Sequence, residues 1–162
     1  MNAFEKFDAD RALRRQNLIV AWSQFRATVN ALVATFNKME EGLANPAKLD
    51  DSPDLVTITC KRESSSGSGM LNIVAKMTLT ETRQVAILAW IEFWSLATTP
   101  PLSQGTENFE FLVEPDPEIR LSFDEKQFTP VEAADTVMMK ALLGLPARSN
   151  IAVVNKRNRD AA

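Results

Sequence analysis

A seam of apolar residues near the start of the chain limits its fold more than any other feature. Leu18, Trp22, Phe25, Val29, Leu32, Phe36, Met39 and Leu43 follow one another at spacings of 4, 3, 4, 3, 4, 3 and 4. A 3.5-residue period of this kind marks one face of an α-helix. Neither proline nor glycine occurs between Ala3 and Glu41. One long helix over Ala3–Leu43 is therefore predicted, stopped at Asn45-Pro46.

Such a seam can pair with another helix or pack on the chain's own core. Its flanks are Ala21, Thr28, Thr35 and Gly42 on one side and Ile19, Arg26, Val33 and Glu40 on the other. Two-stranded coiled coils favour charged flanks, whereas a broad, mostly apolar stripe suits a core face. The core reading is preferred, and a homodimer through the seam is the alternative.

The rest of the chain alternates in the manner of strands. After a turn-rich loop (Asn45–Asp54), Leu55–Arg62 is β-branched, with Val56, Ile58 and Cys60 on one face. Glu63–Gly69 reads as a polar hairpin loop, and Met70–Leu79 as the returning strand. Residues Val85–Trp94 are apolar on every face, so periodicity alone does not separate strand from helix. Their valine, isoleucine and aromatic content favours a strand, buried on both faces and covered from both sides. Thr98–Glu107 reads as a loop. Asn108–Glu114 and Ile119–Phe123 form a hairpin with one wet face around Pro115–Glu118. Thr129-Pro130-Val131-Glu132 has the cap, the first-position proline and the capping-box acid of a helix start.

The expected fold is α+β: a long N-terminal helix, an antiparallel β-meander of about five strands, and a C-terminal helix on the other sheet face or at one end. Residues 1–146 are expected to form one domain and residues 147–162 a flexible basic tail. At 162 residues and 45% hydrophobic content, the chain can bury a core without metal or disulfide staples.

Composition narrows the chemistry. The chain has no histidine, so it lacks the commonest general base near neutral pH and the commonest metal ligand. It has one cysteine, Cys60, which makes no internal disulfide and fits a reducing compartment. Phosphate-binding glycine loops and metal-ligand spacings are missing. No catalytic, cofactor-binding or metal-ligating residue is assigned, and no cofactor is expected. Neither a secretory leader nor a membrane-spanning run is recognised, so a soluble cytoplasmic protein is expected. The net charge of −3 argues against nucleic acid.

Three groups of candidate residues remain. Trp22, Phe25, Trp90, Glu92 and Trp94 could line a pocket between sheet and helix for a partner or for a small apolar ligand that is bound or, in a histidine-free enzyme, transformed, with Glu92 flanked by two indoles. Arg11, Arg14 and Arg15, with Arg148, Lys156, Arg157 and Arg159 of the tail, could make charged contacts. Phe109, Phe111 and Phe123 would offer a base-stacking surface if nucleic acid did bind. The preferred expectation is a non-catalytic protein-interaction module with a protein partner, a second copy of the chain included.

Overall fold

The computed structural model describes residues 2–39, 46–64, 67–79 and 84–142. Helix α1 (Ala3–Met39) is followed by β1 (Lys48–Asp51), β2 (Leu55–Ser64), β3 (Gly67–Leu79) and β4 (Val85–Ser95). Then come β5 (Leu102–Val113), β6 (Leu121–Phe123), β7 (Lys126–Phe128) and helix α2 (Pro130–Leu142). The seven strands form one sheet in chain order, each antiparallel to the next. The α+β meander between two helices is thus as expected, with seven strands rather than about five.

The added strands have local causes. Lys48–Asp51, within the predicted loop, pairs with Val56–Thr59. It is short and charged, a composition that suits an edge and hides the strand from pattern reading. Strand β5 starts at Leu102, well before Asn108, because pairing continues along the whole length of β4 past an irregularity at Phe93/Trp94. Strands β6 and β7 are joined by Asp124 and Glu125, with φ of 53° and 61°. Two left-handed residues make a tight hairpin turn, usually signalled by Asn-Gly or Asp-Gly; here that signal is missing. The ambiguous segment is strand β4, at the centre of the sheet.

Both helices lie on the same face of the sheet. Phe25 and Val29 of α1 meet Val137 and Met138 of α2 over Ile58, Ile73 and Ala75. This corrects the placement of the C-terminal helix on the other face or one end. Trp22, Phe25 and Val29 of the seam are buried and Leu18, Leu32 and Phe36 partly so, which makes the seam a core face. Met39 departs from it at 72% exposed, and Leu43 lies outside the described residues.

Polar side chains fasten α1 along its length. Asn17, itself buried, donates through Nδ2 to the carbonyls of Glu114 (3.0 Å) and Asp116 (2.8 Å). The Trp22 indole donates to the Pro53 carbonyl at 2.6 Å. Arg26 pairs with Asp51 at 2.9 Å, and the hydrogen bond from its guanidinium holds the Asp51 carboxyl below the usual range. At the start of α2, Thr129 and Glu132 each accept the other's backbone N–H at 3.1 Å, the expected capping box.

The inner sheet face carries an aromatic cluster. Phe111 is fully buried and has Phe25, Phe109, Phe123 and Phe128 around it, with ring centroids 5.3–6.4 Å apart. These separations are normal for tilted and edge-to-face aromatic pairs. Among the described residues, no helix or strand lies over the opposite, outer face.

Candidate functional site

The outer sheet face follows from strand parity. On β4, Val85, Ile87, Ala89 and Ile91 point inward and are buried, so Leu88, Trp90, Glu92 and Trp94 point outward. The last four are half-buried rather than sealed. This corrects the expectation that β4 is covered from both sides.

The register sets their neighbours. Val74 of β3 and Asn108 of β5 flank Trp90, Asn72 and Thr106 flank Glu92, and Met70 lies beside Trp94. The Glu92 carboxylate accepts the Trp90 indole N–H on Oε1 at 3.0 Å and the Trp94 indole N–H on Oε2 at 3.2 Å. Hydrogen bonds to an ionised acceptor are stronger than neutral ones, so this one side chain fixes both rings. The Lys76 ammonium lies 5.7 Å from the Trp90 ring centroid, within cation–π range. The result is an aromatic platform on the outer face, with one carboxylate holding both indoles.

The five proposed pocket residues are therefore divided by the sheet. Trp22 and Phe25 stack on each other inside the core, with ring centroids 5.8 Å apart, while Trp90, Glu92 and Trp94 lie on the far side. The gap between Phe25, Val29, Val137, Met138 and the inner sheet face amounts to ≈ 10 Å³ and is lined by apolar side chains. That is about the minimum needed for a single water and far below a ligand site. Sequence reading joined the two groups because both are aromatic. Parity on β4 separates them once the helix side is known.

Of the arginines, Arg11 pairs with Asp8 at 3.0 Å, Arg14 is half-buried and Arg15 is exposed. They lie on the part of α1, Ala3–Gln16, that buries no side chain, where Phe4 and Phe7 are 86% and 62% exposed. Arg148, Lys156, Arg157 and Arg159 fall outside the described residues. Phe109 and Phe111 are buried and face inward beside Phe123, so the proposed base-stacking surface is part of the core.

Two buried polar groups, Asn17 and Lys140, escaped sequence reading. Lys140 of α2 is buried, forms a salt bridge with Glu107 of β5 and lies over the Phe109 ring. Burial lowers its pKa. A lysine among apolar residues near a helix end usually reaches water, and nothing local distinguishes this one from such a lysine. Among the described residues, no group of three or more Cys, Asp or Glu side chains is arranged to hold a metal ion, and no helix is long and apolar enough to cross a membrane. Comparison with protein-family models, with curated proteins and with solved structures finds no match in any of the three.

Proposed function

We propose that the chain is a non-catalytic protein-interaction module, with the helix side of the sheet as scaffold and the outer face as contact surface. The observation that carries this is the pair of tryptophans, Trp90 and Trp94, held in fixed orientation by Glu92 on a face that no described helix or strand covers. Tryptophan is among the residues most enriched at binding hot spots. A ring immobilised before binding loses less entropy on contact than a free one. Met70, Val74, Leu88 and Leu112 extend the apolar centre, and Lys61 and Glu110 stand around it as an exposed charged rim. An apolar centre with a polar rim is the usual anatomy of a protein–protein interface.

The test compares full-length protein with the double variant Trp90→Ala/Trp94→Ala in co-purification from the native cell. The reading expects a stoichiometric protein partner with the parent chain and its loss with the variant, while circular dichroism shows the fold retained. A folded variant that keeps the same partner overturns the reading.

A further inference from the structure

Charge on the outer face is sorted by strand. Among its described side chains, β2 and β3 present Lys61 and Lys76, while β4 and β5 present Glu92 and Glu110. None of these four belongs to a salt bridge among the described residues. At the sheet margins the charges offset one another. Lys48 shares the outer face of β1 with Asp50, and Arg120 is engaged by Glu118. Side-chain size is sorted in the same way, with slender Met70 and Val74 on β3 and the bulky Trp94 and Trp90 opposite them on β4.

A face that is basic and slender on one half, acidic and bulky on the other, complements itself. We infer that it docks a second copy of this chain, face to face, about a two-fold axis that runs parallel to the strands between β3 and β4. This rests on the interaction reading above and names its partner.

The operator follows from the register. Rotation about that axis lays β3 of one copy on β4 of the other, and β2 on β5. Each β3 side chain then meets the second copy's equivalent of its own cross-strand neighbour. Val74 meets Trp90, Met70 meets Trp94, and the Asn72 amide reaches the Glu92 carboxylate. Lys76 comes beside Glu110, because each flanks Leu88. A two-fold axis across the strands would instead stack lysine half on lysine half, and like-charge juxtaposition is costly. The chosen axis keeps the strand directions of the two sheets aligned, as in β-sandwiches, with an inter-sheet gap of about 10 Å that suits a large side chain opposite a small one.

The size is sufficient. Strands β2–β5 span roughly 19 Å across and, over the 10 residues of β2, roughly 33 Å along. That is roughly 600 Å² per copy, or roughly 1,200 Å² in total, where specific and stable interfaces begin. The flanking strands add to it.

The experiment is light scattering of the full chain over a wide dilution series, at low and high salt. The expected mass is twice 18.0 kDa at high concentration. Lys76→Glu alone, or Glu110→Lys alone, is expected to raise the dissociation constant about a hundredfold, because each sets like charges side by side across the interface. The double exchange Lys76→Glu/Glu110→Lys is expected to restore the dimer. That rescue cannot come from a folding defect, and circular dichroism of each variant checks the fold directly.

A mass of 18.0 kDa at every concentration overturns the inference. So does a dimer indifferent to both single exchanges, or one that Phe4→Ser/Phe7→Ser dissociates instead, which would place the contact on α1. If the chain is monomeric yet Trp90→Ala/Trp94→Ala still abolishes binding of a different protein, the second copy is wrong and the interaction reading survives. If that binding also persists, both fail.

Discussion

The two faces of the sheet are built from the same strands and have opposite fates. The inner face of β4 and β5 ends in Ile87, Ile91, Phe109 and Phe111, each at most 4% exposed under two helices. The outer face of those strands carries Leu88, Trp90, Glu92 and Glu110, half-buried or exposed. Neither is polar in the ordinary sense, so hydrophobicity alone does not explain why one is covered. The neighbours do. Outward positions on β2 and β3 include Thr57, Thr59, Lys61, Asn72 and Lys76 beside Met70 and Val74, and an apolar layer could cover the polar ones only by desolvating them. Burial is thus decided by the whole face rather than by the best strand in it.

That contrast is open to direct attack. The largest expected effect is on the sealed side. Phe111→Ala should cost about 3–5 kcal/mol, because the rings around it cannot close the cavity. Trp90→Ala, a larger truncation on the open side, should cost the isolated chain only about 1 kcal/mol, the worth of a cross-strand pair. Urea denaturation of both variants checks this. Equal losses would mean that the outer face is covered in solution.

Next is Asn17, which joins α1 to the β5–β6 connection. Asn17→Ala strands two part-buried carbonyls and should cost about 1–3 kcal/mol. Asn17→Asp should fare no better, since a carboxylate offers no N–H to those carbonyls.

A smaller effect is expected at the half-exposed Arg26–Asp51 pair, whose contribution should be about 0.5–1 kcal/mol after solvent screening. The Asp51 pKa is lowered in the fold. Its contribution is therefore fully present above the unfolded-state value and is lost as pH falls through the folded-state value. An Asp51→Asn variant should lose part of the parent's acid sensitivity in a pH series of thermal melts.

The smallest effect is expected at Lys140, the one buried cation on the helix side among the described residues. Its lowered pKa means that the fold disfavours the charged form. This penalty is present below the folded-state pKa and is relieved as pH rises towards the unfolded value. Lys140→Met leaves Glu107 partly in water, so thermal stability at neutral pH should change by less than about 1 kcal/mol. A large loss would show that the salt bridge, rather than the apolar layer, holds the end of α2 to the sheet.

Much of this could be read locally. The seam of α1, the capping box of α2 and the alternation in β2, β3 and β5 each depend on residues within a few positions of one another. The shared outward side of Trp90, Glu92 and Trp94 was equally legible, because parity on a strand is local. Asn72, Lys76 and Thr78 of Met70–Leu79 and Asn108 and Glu110 of Asn108–Glu114 belong to the strands on either side of β4, and they already set polar groups around its outward face. Strand β1 and the early part of β5 had no pattern to find, because pairing with a neighbour, not alternation of their own, makes them strands.

The sequence by itself determined the two helices, the strands that alternate and which of their residues share a side, since backbone geometry imposes those periods within a segment. The tertiary structure alone decided that both helices pack on one face, that Trp22 and Phe25 are parted from Trp90, Glu92 and Trp94, and that Lys140 meets Glu107. Each of these brings together residues far apart in the chain. Its energy depends on what the whole face can bury, and no single segment contains that information.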